Sequence, residues 1–270
     1  MNLKILPIYE SAPSVSYPSF FQNSDEIQAC IKTICEKWRS YLEEYVKQTD
    51  LVFKTGSELP WENTERAIVS TLAASIIRSF DGSVLMEELS VDKNGNQGRC
   101  DLWASIPSLN NRKTPFSFYL EAKKSSRKTG VRNASAYLKS DRGVSRVVND
   151  YVKGNPARIT KLSSYRKERE RQHEHYVIGM LIIRLMQVEG IELNIGETLR
   201  GAFETRLSIA LKRKRTEDVS IRKRRMGRFP TVAMAIFPDD KRRPGMLASF
   251  TVFGSTDSLM RKRVNEPPDS

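Results

Sequence analysis

From Ser24 the apolar positions Ile27, Cys30, Ile31, Ile34, Cys35, Trp38, Tyr41 and Leu42 recur three and four residues apart, the spacing of one helix face. With Ser24 and Asp25 supplying caps, the pattern predicts one amphipathic helix running to about Gln48. The segment TGSELP interrupts it, and a second helical pattern starts near Trp61 and ends at Asp81-Gly82. Glu65, Ile68, Leu72 and Ile76 share one stripe of that helix, so Glu65 points toward whatever the stripe packs against. The period then shortens to two. VLMEELS, the turn-rich VDKNGNQG with its Asn94-Gly95 pair, and RCDLWASI read as a β-hairpin. A polar loop containing Asn110-Asn111 and Pro115 leads to a third strand, FSFYLEAKK.

Helical spacing resumes around Ala134, Tyr137 and Leu138 and again at Val144, Val147, Val148 and Tyr151, until Gly154 to Pro156 stop it. The charged stretch KLSSYRKERERQHEH precedes YVIGMLIIRLM, whose β-branched apolar run reads as a buried strand. ETLRGAFETRLSIALKRKR reads as helix, and TVAMAIFPDD and GMLASFTVFGS as two closing strands. Residues 1–23 show no sustained period and are expected to form an arm laid over the core. Residues 256–270 read as a disordered tail. The resulting division is an arm and amphipathic helix (1–59) packed on one α/β domain (60–255), followed by that tail.

A chain of 270 residues can bury a full core, and its 39% hydrophobic content is that of a globular protein. Charge adds information about partners. The 45 Lys+Arg against 32 Asp+Glu leave a formal +13, which favours a polyanion such as nucleic acid or an anionic membrane surface. No run of about 18 apolar residues occurs, so a membrane span is not expected. The N-terminal stretch lacks the long apolar region of a secretory signal. A soluble cytoplasmic protein, nucleoid-associated or nuclear according to the host, fits these features. Cys30, Cys35 and Cys100 form no CxxC pair and leave an odd count, which argues against a disulfide framework. His173 and His175, the only histidines, have no cysteine cluster beside them and read as a solvated, charged helix end rather than a zinc site.

Three charges interrupt the strands. On the third strand Phe116, Phe118, Leu120 and Ala122 share one face, and Ser117, Tyr119, Glu121 and Lys123 the other. The second strand divides the same way, with Cys100, Leu102, Ala104 and Ile106 opposed to Arg99, Asp101, Trp103 and Ser105. Pairing the two would lay an apolar face on the core and let Asp101, Glu121 and Lys123 converge on the opposite face. Two adjacent carboxylates repel unless a cation sits between them, and their hard oxygens suit Mg2+ or Mn2+. Such a metal polarises a phosphoryl oxygen and activates a bound water. The carbonyl of Ala122 is a further candidate ligand, and Lys123 could orient the water or stabilise developing charge. The alternative is that Glu121 and Lys123 are solvent-facing partners on an open sheet.

Asp101, followed after a loop by an apolar strand ending Glu121-Ala122-Lys123, resembles the D…(D/E)xK signature of the restriction-endonuclease-like PD-(D/E)xK nuclease superfamily. Glu65-Arg66, followed by Ile68 and Leu72, resembles the acid-bearing first helix of many members. The resemblance spans roughly residues 60–185 by element order. It departs at Cys100, which stands where the signature has proline. The resemblance implies a mixed central sheet flanked by helices and Mg2+-dependent (or Mn2+-dependent) hydrolysis of phosphodiester bonds in DNA. Asp101 and Glu121 would then be metal ligands, Lys123 the catalytic cation and Glu65 an assisting acid. Glu87 or Glu88 on the first strand could face the same site, and Glu62 competes with Glu65 for the helix position.

Basic residues supply candidate DNA contacts. Lys124, Arg127, Lys128 and Arg132 follow the ExK strand directly. The 212–225 run carries eight basic residues, among them Lys212, Arg213, Lys214 and Arg215, and fits phosphate contacts, a nuclear import signal or a solvated helix end. Two rival functions stay open: a nucleic-acid-binding protein that keeps the fold without catalysis, and a nuclease of RNA. A homodimer is compatible with either. Neither cleavage specificity nor pathway is legible in the residues.

Overall fold

The periodicity beginning at Ser24 becomes helix α1, Ser24–Val52, and its apolar stripe from Ile27 through Val46 is buried. This computed structural model describes residues 1–10, 24–52, 58–90, 99–107, 109–111, 114–130, 175–186 and 231–255. The second helix, α2, is Glu65–Ser79. It begins later than the apolar pattern suggested. Pro60–Glu62 forms a separate 3-10 turn whose Trp61 indole N–H donates to the carbonyl of Pro244, 2.7 Å away. Thr64 then caps α2, its hydroxyl accepting from the amide of Ala67 at 3.2 Å. A hydroxyl cap three residues downstream is a better helix start than a tryptophan already committed elsewhere.

The strands are β1 (Leu3–Ile5), β2 (Tyr9–Glu10), β3 (Val84–Ser90), β4 (Arg99–Ile106), β5 (Phe116–Gly130), β6 (His175–Met186), β7 (Thr231–Pro238) and β8 (Gly245–Ser255). They form one eight-stranded sheet in the order β1-β7-β8-β6-β5-β4-β3, with β2 also on β7. Every pairing is antiparallel except β5 with β6, so the sheet is mixed and the class is α/β. Leu3–Ile5 and Tyr9–Glu10 extend the sheet along β7, so this part of the arm is structural edge rather than cover. The predicted helices near residues 134–151 and 197–215, and the tail, lie outside the described residues.

Both helices pack on one sheet face, α1 reaching β7 and α2 reaching β3, β4 and β5. Leu102, Ala104, Ile106, Phe116, Phe118, Leu120 and Ala122 join Ile68, Leu72, Ile76 and the α1 stripe in one cluster, as the alternation predicted. The two helices are also tied by a buried hydrogen bond from the Trp38 indole to the Thr71 hydroxyl at 3.0 Å. Alternation disappears in β7, where Val232 to Phe237 are all buried, the pattern of a strand covered on both faces. At the start of β8, Gly245 admits no side chain: a Cβ there would lie 2.3 Å from the Phe237 ring and 2.6 Å from the Ile236 carbonyl oxygen. Among the described residues no helix is long and apolar enough to cross a membrane.

Candidate active site

The site lies where β4 and β5 part. Their ladder runs from Ile106↔Phe116 to Leu102↔Leu120 and stops there, while β5 continues to Gly130 beside β6. Residues two apart on a strand point their amides to the same edge, so Ala122 and Lys124 present N–H groups to the side that β4 has left. Such groups must find acceptors. The amide of Ala122 donates to Asp101 Oδ2 at 2.7 Å, and the amide of Lys124 donates to Glu65 Oε2 at 2.6 Å. Two amides at this spacing lie about 7 Å apart. The fold therefore holds the carboxylates of Asp101 and Glu65 side by side along one stretch of β5.

Each carboxylate is delivered by its own element. Glu65 is the first residue of α2, and the burial of Ile68, Leu72 and Ile76 turns it toward the sheet as the helical stripe required. Carboxylates are favoured in a helix's first turn. Asp101, half-buried, follows the buried Cys100 near the start of β4. Glu121, also half-buried, is the first β5 residue past the last β4–β5 pair, as Asp101 is on the β4 side. Both acids lie close enough to the Cys100 thiol to raise its pKa, although burial is the main reason it is pushed up to about 12.

Cys100 corrects the simple alternation. Its thiol sits in the seam, within donor distance of the Leu102 carbonyl at 3.2 Å and the Leu120 carbonyl at 3.3 Å. It packs with Tyr119 and Trp103, not with the helix-side cluster that Leu102 joins. The parting of the strands opens the room it occupies. His175 requires a second correction: it is the buried first residue of β6, not part of a solvated helix end. The Trp103 indole N–H donates to its Nδ1 at 3.5 Å, and its ring centroid lies 5.6 Å from that of Tyr119. These aromatics account for its burial.

Lys124 joins β5 to the start of α2 twice, through its amide to Glu65 and through its ammonium to the carbonyl of Asn63. Burial, and then the nearby Arg184 guanidinium, hold its pKa below the usual lysine range, while Glu65 and Glu62 pull the other way. Glu62 itself pairs with Arg243 on the β7–β8 connection, leaving Glu65 as the acid that reaches β5. Glu87 is exposed and accepts from the Ser70 hydroxyl at 2.8 Å, a contact between β3 and the middle of α2. The side chain of Glu88 is outside the described residues, as is that of Lys123, whose backbone pairs with Leu181. Arg127 and Lys128 lie on β5 with their side chains likewise outside, and Arg132 and Lys212 to Arg215 fall outside the described residues altogether.

Glu65, Asp101, Glu121 and Ala122 are thus gathered in one place from three separate segments. Among the described residues no three acidic, histidine or cysteine side chains close into a metal cage. The donors present are hard oxygens, the type Mg2+ and Mn2+ take. A carboxylate has about four lone-pair sites, so a backbone amide and a cation can share one. Sequence reading missed Arg184, Arg243 and Asn63. Of these Arg184 left a signal, a lone cation inside the apolar run VIGMLIIRLM. No family model, curated protein or solved structure matches this chain.

Proposed function

We propose that the chain is a nuclease of the PD-(D/E)xK kind, hydrolysing phosphodiester bonds of DNA with Mg2+ or Mn2+. The observation that carries the reading is the seam itself. Glu65, Asp101 and Glu121-Ala122-Lys123 have the residue types and spacing of the signature, and Asp101 and Glu65 accept alternate β5 amides where β4 leaves β5. A mixed sheet with helices packed on it is the setting this reading needs, and a formal +13 suits a polyanionic substrate. In this reading Asp101, Glu121 and the Ala122 carbonyl would hold the cation, which would supply Lewis acidity and an activated water. Glu65 would assist from α2, Lys123 would stabilise charge at the phosphate, and Arg127, Lys128, Arg132 and the 212–215 cluster would grip the backbone.

The test is cleavage of labelled duplex DNA, single-stranded DNA and RNA in Mg2+, in Mn2+ and in a chelator. Metal-dependent cutting of DNA, lost in Glu121→Gln, supports the reading. Cutting of RNA alone moves the activity to that substrate. One observation favours a second reading, that of a binding protein without catalysis: Asp101 and Glu65 each already satisfy a backbone amide, a role that needs no metal. Tight binding of DNA with no cleavage in either metal would establish it.

A further inference from the structure

We propose that Lys124 is a positioning residue of this site, holding Glu65 in place from β5 instead of gripping a phosphate; the assignment rests on the function proposed above, in which Glu65 assists. Its place in the sequence, directly after Glu121-Ala122-Lys123, suggests a DNA contact. The strand sends it elsewhere. The β5–β6 register is regular from Ser117 to Lys124, so the alternation that puts Leu120 and Ala122 in the helix-side cluster carries on to Lys124. Its lateral neighbour on β6, Ile182, is buried in that same cluster. α2 packs on this face, and the half-buried Lys124 meets its first turn.

Two contacts from this one residue close a ring. The Lys124 amide donates to Glu65 Oε2 at 2.6 Å, and its ammonium donates to the carbonyl of Asn63, two residues before Glu65. The first contact fixes the end of the Glu65 side chain, and the second fixes the backbone from which that side chain springs. Asn63 is a firm anchor. Its backbone amide donates to the Pro60 carbonyl at 3.2 Å, and its side-chain amide donates to the Glu58 carboxylate at 3.2 Å and the Leu59 carbonyl at 3.4 Å. Lys124 is also the last β5 residue before the β5–β6 register shifts, so the tie is made where the strand is still regular.

The ring has a use in the proposed reaction. A side chain that takes part in chemistry must be held to about 0.5 Å, and a misplacement of about 1 Å costs roughly a hundredfold in rate. Helix ends fray, and Glu65 is the first residue of α2. The Thr64 cap steadies the helix but does not set where the helix stands against the sheet. Lys124 does, and it does so on the strand that also carries Glu121 and the Ala122 carbonyl, so the distance from Glu65 to these groups is fixed through one short piece of β5. A lysine held this way acts on the reaction through Glu65.

The test uses the full chain as wild type, Lys124→Met, Glu65→Gln and the double variant. It measures single-turnover cleavage of a labelled duplex in saturating Mg2+ and, in a chelator, duplex binding as log K against log salt. Lys124→Met keeps an unbranched apolar stem and drops the ammonium. It is expected to cut roughly ten- to a hundredfold more slowly, with a salt slope parallel to wild type, and to add less than about a twofold loss once Glu65 is glutamine. A slope shallower by about 0.9 would make Lys124 a phosphate contact on duplex DNA and overturn the assignment. Losses that multiply in the double variant overturn it as well. A folded Lys124→Met that melts lower yet cuts at the wild-type rate marks a purely structural tie, and that result also overturns it. If Lys124→Met does not fold, Lys124→Gln, which keeps a donor N–H and drops the charge, is judged by the same slope and the same double variant. Any of these failures beside cleavage by wild type removes Lys124 alone. A wild type that cuts no DNA removes the proposed function, and this assignment with it.

Discussion

Asp101→Ala and Asp101→Asn separate the two tasks of one carboxylate. In the half-buried seam Asp101 Oδ2 accepts from the Ala122 amide at 2.7 Å. Alanine removes the acceptor, and an amide left without one costs about 1–3 kcal/mol. Asparagine keeps a carbonyl oxygen in place. It forfeits the extra strength of a charged acceptor, roughly 1 kcal/mol, and recovers about half of that by relieving cross-strand repulsion with Glu121, worth about 0.2–1 kcal/mol. At about 2–4 °C per kcal/mol for a chain of this size, Asp101→Ala should melt about 2–12 °C below wild type in a chelator, and Asp101→Asn within about 3 °C of it. Both should lose cleavage, since each removes a negative charge from a hard-cation site. The assay pairs thermal melts, with and without Mg2+, with cleavage of one labelled duplex. A wild-type melting temperature for Asp101→Ala would refute the structural task, and a wild-type cutting rate for Asp101→Asn the chemical one.

Lys123→Ala should fold and bind DNA like wild type but lose cleavage, because a charge acting in the transition state adds little to ground-state affinity; single-turnover rates beside binding curves check this. Changing Lys212, Arg213, Lys214 and Arg215 to Ala should flatten the salt slope by about 0.9 for each phosphate no longer neutralised, with the cut position unchanged; salt titration and mapping of the products decide it. Gly245→Ala should destabilise the β7–β8 hairpin by about 1–3 kcal/mol, read by denaturant melts, since its Cβ would meet the Ile236 carbonyl oxygen at 2.6 Å. Burial pushes the Cys100 thiol up to about 12, so the unfolded chain ionises this group first and stability falls as pH rises from about 9 toward 12. Melts across that range should show a shallower loss in Cys100→Ala.

The elements are legible wherever one face of a helix or strand meets the core and the other meets something polar. Ile68, Leu72 and Ile76 set the direction of Glu65, and Leu102 with Leu120 form the last β4–β5 pair, next to which Asp101 and Glu121 stand in sequence. What periodicity does not supply is the seam. A regular alternation assumes that strands stay paired, whereas here β4 departs after Leu102, the Cys100 thiol enters the gap, and carboxylates take the place of ladder partners. His175 escapes sequence reading for a related reason: it follows a charged stretch, and only long-range packing against Trp103 and Tyr119 makes it a core residue. The start of α2 escapes it too, because the partner of Trp61, the Pro244 carbonyl, is 183 residues away.

The seam also determines which residue best separates the rival functions. Any chain with this sheet has β5 amides at Ala122 and Lys124 that β4 does not pair, so Asp101 and Glu65 are useful to folding whether or not a metal ever binds. Their presence is therefore compatible with an enzyme and with an inactive binder alike. Lys123 differs. Its backbone is in register with Leu181 of β6, and its place lies between the two amides that recruit the acids. A lysine there answers no orphaned amide, since its ammonium is a donor and not an acceptor. The unpaired β5 amides supply a reason for Asp101 and Glu65 that does not extend to the lysine. Loss of cutting with unchanged melting in Lys123→Ala is consequently stronger support for catalysis than the same loss in Asp101→Ala, where stability and chemistry fall together.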